Sequence, residues 1–158
     1  MTPKITQKSQ TYLVGVKMTM SFANYKVEEL WKNFIPRRKE INLALNDDLI
    51  SMTIYGNDHF LNFKPTNLFD KWACKEVSAI DSLPPGMETY ILPSGLYAVF
   101  QYKGLHNDPA VYQYIFGKWL PGSVYSLDDR PHFEILGSKY KNNSPDSEEE
   151  IWIPVKLR

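Results

Sequence analysis

The two halves of the chain repeat one pattern of residues, and this repeat constrains the fold more than any other feature. Residues 31–36 read WKNFIP and residues 116–121 read FGKWLP, each with an aromatic, two spacers, a second aromatic, an aliphatic and a proline. Three pairs of segments align at offsets between 81 and 85 residues: 13–21 with 96–104, 31–36 with 116–121, and 47–55 with 128–136. Small insertions in loops explain the drift of the offset. We therefore expect two units of the same kind.

The first half predicts a strand, a helix and then further strands. Apolar side chains recur at helical spacing along residues 27–38, at Val27, Leu30, Trp31 and Phe34. Proline follows them and is expected to end the helix. The strands of this half are predicted at 13–21, 49–56 and 72–80, with a further short one near 60–63.

The second half restarts after the Pro-Pro-Gly break in residues 83–87. Asp108 is a candidate N-cap and Pro109 suits a first helical turn, so a helix is predicted over 107–123. Strands are predicted at 87–93, 95–104, 131–138 and 149–157.

Together these elements predict an α+β fold of two tandem β-α-β-β units, related by a pseudo-twofold axis around a central ligand cleft. We expect one domain over residues 1–158, with the first unit at about 12–81 and the second at about 87–157. The polar residues 1–10 are expected to be flexible. Such units bury their sheets against their helices.

Composition narrows the classes of function. Eighteen basic and 18 acidic residues cancel, so no bulk field favours nucleic acid or an anionic membrane as a partner. The single cysteine, Cys74, lies in an apolar segment and is expected to be a buried thiol in a reducing compartment. No apolar leader or membrane-length window is present, so a cytoplasmic location is expected. The three histidines lack ligand spacing, and neither a metal site nor a cofactor is predicted.

Glu134 is the one acidic side chain in the apolar run of residues 131–138. Strand alternation places Phe133 and Ile135 on one face, expected under the helices. His132, Glu134 and Leu136 then face the helix-free side, where the groove between the units is expected. The repeat aligns Glu134 with Thr53, so the repeated architecture does not itself require a carboxylate there. The alternative is an ordinary solvated charge on a strand.

Several segments, in this order and spacing, resemble the GyrI-like small-molecule-binding domain. They are LWKNFIPRRKEI, FDKWACKEV, GLYAVFQYKG, IFGKWLPGSVYSLDDRPHFEIL and SEEEIWIPV. This domain is also the effector-binding part of many AraC-type and MerR-type bacterial transcription activators. The resemblance covers about residues 12–157 and implies a cleft for organic ligands that are often cationic and aromatic.

The resemblance implies that Glu134 meets the positive charge of the ligand and that Trp119 contributes an aromatic face. Further aromatic candidates come from the predicted elements: Tyr112 and Phe116 on the second helix, and Tyr97 and Trp152 on strands beside the groove. The aromatic stripe of that helix is more often typical of core packing than of a binding surface. No segment resembles a helix-turn-helix, so we expect a stand-alone version without direct nucleic-acid binding.

The preferred hypothesis is a bacterial small-molecule-binding module for a cationic, amphipathic aromatic compound. It would act as an effector sensor linked to transcription regulation through an unknown partner, or as a sequestering protein. A second hypothesis is a hydrolase of electrophilic compounds, with Glu134 activating water and Tyr97 or Tyr112 donating a proton. A third is a protein-interaction modulator, for example a topoisomerase inhibitor.

Overall fold

Nine β-strands and two short helices make up the computed structural model, which describes residues 1–158. In chain order the strands are Lys4–Lys8 (β1), Thr11–Met20 (β2), Leu49–Tyr55 (β3), Phe69–Val77 (β4), Glu88–Leu92 (β5), Gly95–Lys103 (β6), Tyr125–Leu127 (β7), His132–Leu136 (β8) and Glu148–Leu157 (β9). Helix α1, Val27–Phe34, continues as a 3-10 turn over Ile35–Glu40. Helix α2, Ala110–Tyr114, continues as a π-helical segment over Ile115–Trp119.

All strand pairs are antiparallel, and the main sheet has the order β1-β6-β9-β8-β3-β4-β2-β5, with β7 paired to β9. From the central β3–β8 pair outward, both halves follow the same sequence of positions, β3-β4-β2-β5 and β8-β9-β6-β1. Met52 and Phe133, which the 81-residue offset aligns, lie directly opposite each other in that pair. A two-fold axis between the units would pass through such a pair.

The sheet curls until its two ends approach each other. Only residues 9–10 link β1 to β2, and only residues 93–94 link β5 to β6, although each link joins opposite ends of the strand order. Three Cα–Cα steps span at most ~11 Å, so the ends must be close. One face of the sheet therefore becomes an interior, filled by the cluster of Leu13, Ile50, Met52, Trp72, Tyr97 and Phe133.

Both helices pack on the opposite face. Helix α1 places Leu30 and Phe34 over Val14 and Ala73 of the first unit. The second helical segment packs over Phe100, Ile151 and Ile153 of the second unit. A helix on each flank leaves the middle of this face, along β3 and β8, without a helix above it.

The face assignment predicted for β8 is wrong. Phe133 and Ile135 point into the interior cluster rather than under the helices. His132 and Glu134 lie on the helix-bearing face, where Glu134 contacts α2 through Tyr112. The curled sheet supplies a second buried side, which a flat sheet with helices on one face does not have.

The remaining differences from the sequence predictions concern local elements. Residues 1–10 are not a flexible tail, because Lys4–Lys8 pairs with β6 as an edge strand. The short strand predicted near 60–63 is a turn. Both α-helices are shorter than predicted. The N-cap of the second is Pro109 rather than Asp108, but the Oδ1 atom of Asp108 accepts the Ala110 N–H at 2.9 Å just before the helix.

Cys74 is fully buried in the interior cluster, and burial raises the pKa of its thiol well above the usual value. The prediction of a buried thiol is thus confirmed. Neither helix has the length and hydrophobicity that crossing a bilayer requires.

Candidate functional site

A cavity of about 830 Å³ lies on the helix-bearing face between the two units. Its floor includes Ser51 and Thr53 of β3, Lys71 of β4 and Glu134 of β8. Its walls are helix α1, the α2 segment, the residues just before each helix and the loop that follows β8. This volume falls in the range of ~300–1,000 Å³ typical of small-molecule sites.

Strand register brings the polar side chains of the floor together. Ser51 lies opposite Glu134, while Thr53 lies opposite both Lys71 and His132. Alternation turns all five toward the same face. Polar residues that are 18 to 83 positions apart in sequence therefore meet at one place.

Glu134 is half-buried at the floor and accepts a hydrogen bond from the hydroxyl of Tyr112 on α2. Burial, together with the negative charge of Glu134, holds the pKa of Tyr112 well above its usual value. Tyr112 therefore stays protonated and acts as a hydrogen-bond donor at any physiological pH.

Glu149 of β9 is a second carboxyl beside Glu134. Its side chain is 6% exposed, and its Oε2 atom is buried without a hydrogen-bond partner. Burial and the neighbouring Glu134 charge raise the pKa of Glu149 to about 8. At neutral pH this carboxyl is therefore mostly protonated.

Lys71 is the third ionisable group of the floor. Its side chain is 7% exposed, and its Nζ donates to Thr53 Oγ1 at 2.8 Å. Burial lowers the pKa of Lys71, although the charges of Glu134 and Glu149 oppose the effect. No lysine or arginine nitrogen lies within 4.0 Å of either carboxyl, so the acids have no direct ionic partner.

Three further tyrosines stand near these acids. Burial, followed by the charge of Glu134, raises the pKa of Tyr25 to about 12. Burial also raises the pKa of Tyr55, and that of Tyr140 to about 12, with Glu149 and Glu134 adding to the latter. The site thus combines carboxyl groups with phenol rings that keep their protons.

His132 has an aromatic rather than an acid–base role here. Its ring stacks on Phe60 at 5.5 Å and meets Tyr55 edge-on at 4.9 Å. Burial, reinforced by the charge of Lys71, lowers the pKa of His132 to about 3, so the ring is neutral. Phe60 also stacks on Phe116 at 5.7 Å, which joins the turn after β3 to the second helical segment.

The fold and this cavity agree with a known family. Residues 1–156 match the family described as the GyrI-like small molecule binding domain. The chain belongs to this GyrI-like family. It is therefore a small-molecule-binding domain, and the resemblance seen in the sequence is confirmed.

Relatives of the GyrI-like domain include regulators of transcription. The transcriptional regulator BrlR of Pseudomonas aeruginosa is 26% identical over 154 residues, which cover 96% of this chain and 54% of BrlR. The chain thus spans about half the length of this curated relative. It shares its fold with SAV2435 bound to tetraphenylphosphonium, at a TM-score of 0.73 and 19% identity over 99% of this chain and 94% of the other. EcmrR in a complex with DNA has a TM-score of 0.70 at 16% identity, over 98% of this chain and 57% of EcmrR.

Four of the predicted site residues line the GyrI-like cavity: Glu134, Tyr112, Phe116 and Trp152. Trp119 does not, because its ring meets Phe100 edge-on at 5.2 Å beneath the helical segment. The prediction that Trp119 lines the ligand site is therefore wrong, because its ring packs against the sheet.

Of the two strand aromatics, only one lines the cavity. Tyr97 is 0% exposed in the interior cluster, under the guanidinium of Arg130 at 4.6 Å, so its prediction as a cavity residue is wrong. Trp152 lines the cavity, and its ring also stacks on Phe133 at 5.1 Å.

Sequence reasoning missed Lys71, Glu149, Tyr25 and Tyr55. Alternation held a signal for the first two, because Lys71 shares a face with Ala73, and Glu149 shares one with Ile151. No local sequence pattern distinguishes Tyr25 and Tyr55 as cavity residues.

Proposed function

We propose that the cavity binds organic cations with aromatic bodies and that the protein acts as an effector sensor or a sequestering module. The observation that carries this proposal is Glu134, a carboxylate at the floor of an aromatic cavity with no cationic side chain in contact. Removing a carboxylate from water is unfavourable unless a positive charge restores the balance. A ligand cation would supply that charge.

The cavity walls suit the rest of such a ligand. Tyr25, Tyr55 and Phe116 offer ring faces near the carboxylate. A cation over an aromatic face gains ~0.5–2 kcal/mol, and the apolar body gains further from burial. SAV2435, which shares the fold, is described as bound to tetraphenylphosphonium, a cation that carries four phenyl groups.

A link to transcription is proposed from the relatives. BrlR is a transcriptional regulator, and EcmrR forms a complex with DNA, but this chain corresponds to only about half of each. We expect the cavity to sense a ligand without contacting nucleic acid itself. Any regulatory output would pass to another protein or segment.

Two alternatives from the sequence receive less support. For a hydrolase, Tyr97 lies on the wrong face, and the Tyr112 hydroxyl is engaged directly by Glu134 rather than through a water site. For a protein-interaction modulator we expected a cleft filled by side chains, whereas the cavity measures about 830 Å³.

The test compares tetraphenylphosphonium with the neutral triphenylphosphine oxide by isothermal titration calorimetry. We expect the wild type to bind the cation much more tightly. Glu134→Gln should weaken cation binding by ~2–5 kcal/mol, the effect of removing one partner from a buried charge pair. The matched control is Glu148→Gln, the same change at an exposed carboxylate on β9. Equal affinity for the two compounds, or equal losses in both variants, would refute the proposal.

A further inference from the structure

Glu134, at the floor of the cavity, and the buried Glu149 lie on neighbouring strands. Glu134 pairs directly with Ile151, and Glu149 is two residues before Ile151 on the same face. Such diagonal neighbours are within reach of each other when their side chains are long. Burial, followed by the negative charge of Glu134, raises the pKa of Glu149. Because neighbouring like charges oppose each other, the pair favours holding one proton.

No cationic side chain forms an ion pair with Glu149. The Lys71 amine donates to Thr53 and lies more than 4.0 Å from the Glu149 carboxyl, although its charge opposes the rise in the pKa of Glu149. The phenols of Tyr112, Tyr140 and Tyr102 keep their own protons. A shallow pocket on its other side is lined in part by Asp48, Lys139, Glu148 and Glu150, none of which forms an ion pair with it. The buried Oε2 atom has no partner at all.

We infer that Glu149 carries the proton of the pair in the ligand-free protein and releases it when an organic cation docks against Glu134. The inference rests on the proposed function. In the exchange, the O–H bond of Glu149 breaks, the proton passes to solvent, and the pair carries two negative charges beside the ligand cation. Glu149 is thereby a specificity residue, since a neutral ligand provides no charge that could stabilise the second carboxylate.

Other groups of the cavity do not replace Glu149 as the source of the proton. His132 is neutral, because its pKa is about 3, and has no proton to release at neutral pH. The Lys71 amine is engaged in a hydrogen bond to Thr53. The phenols titrate far above the physiological range.

The exchange makes cation affinity depend on pH in a defined direction. Because the pKa of Glu149 is raised in the free protein, binding at pH 7 should release up to one proton. The Kd for a cation should therefore fall as the pH rises from 6 to 7, by at most about tenfold. The Kd for a neutral ligand should stay constant over that interval.

The experiment is calorimetric titration of tetraphenylphosphonium into the protein at pH 7, in buffers of different ionisation enthalpy. The slope of observed enthalpy against buffer enthalpy counts the protons released. We expect nearly one for the wild type and for Glu148→Gln. Glu149→Gln should bind with a slope near zero and a Kd that no longer changes with pH, since its amide can still donate to Glu134.

Each outcome has one meaning. Cation binding without proton release by the wild type overturns this inference and leaves the proposed function intact. An unchanged slope in Glu149→Gln also overturns it, and Lys71→Met would then identify the other source. Failure of every variant to bind the cation overturns both proposals.

A second measurement tests the inference on the wild type alone, in case the Glu149→Gln protein does not fold. Infrared difference spectra of the wild type should show loss of the C=O stretch of a protonated carboxyl when tetraphenylphosphonium is added. Triphenylphosphine oxide should leave that band in place. A band that persists with the bound cation would contradict the exchange.

Discussion

Tyr112 and Glu134 join the second helical element to the centre of the sheet, and their hydrogen bond gives a sharp test of the site. The hydroxyl of Tyr112 donates to a half-buried carboxylate, and no lysine or arginine contacts that carboxylate. A hydrogen bond to a charged group contributes about 1.5–3 kcal/mol. Tyr112→Phe removes the hydroxyl and keeps the ring, so we expect the free energy of unfolding to fall by that amount.

The assay is denaturant unfolding together with a thermal melt. For a chain of this length, 1 kcal/mol corresponds to roughly 2–4 °C in Tm, so the loss should be about 3–12 °C. Tyr114→Phe is the matched control, because its hydroxyl donates to Met1 O at an exposed position on the same helix. We expect that control to change stability by less than ~0.5 kcal/mol.

A double-mutant cycle with Glu134→Gln isolates the pair. If the bond exists as described, the two substitutions together should be less destabilising than the sum of each alone by ~1–3 kcal/mol. Additive effects, or a Tyr112→Phe protein as stable as Tyr114→Phe, would refute the reasoning that Tyr112 anchors Glu134.

Three other predictions concern packing and pH. Trp119→Ala should destabilise the fold by ~3 kcal/mol through loss of its contact with Phe100, yet leave the Kd for tetraphenylphosphonium unchanged in titration calorimetry. Gly15→Ala should destabilise by ~1–3 kcal/mol or more in denaturant unfolding, because an added Cβ would lie 2.1 Å from the Ala73 carbonyl oxygen. Glu149 binds its proton more tightly folded than unfolded, so the free energy of unfolding should decrease as pH rises through about 5–8, by at most ~1.4 kcal/mol per pH unit. Glu149→Gln should flatten that dependence, and an unchanged slope would contradict the assignment.

The elements that were predictable share a short-range cause. The strand at β3 and the amphipathic start of α1 follow from alternation and from 3.6-residue spacing, which act within a few residues. The hydrogen bond from the Ala110 N–H to Asp108, at the start of the second helix, is equally local. The 81-residue offset of the repeat aligned Met52 with Phe133. In the structure the strand register places these two residues directly opposite each other.

The errors have a long-range cause. Alternation assigned Phe133 and Glu134 to opposite faces, correctly, but could not say which face carries the helices. That choice depends on the curl of the sheet, which is set by the pairing of β1 with β6 and of β2 with β5. Trp119 was misplaced because the phase of a helix relative to a sheet depends on packing between the two.

Sequence alone determined the α+β pattern, the family and the one carboxylate, Glu134, around which the site is built. Only the tertiary structure decided that Glu149, Lys71 and Tyr112 surround it, since these residues come from two strands and a helix far apart in the chain. The physical reason is that the charge of a buried carboxyl depends on its burial and on neighbours within a few ångströms. Neither quantity exists until strand register and helix packing have brought the groups together.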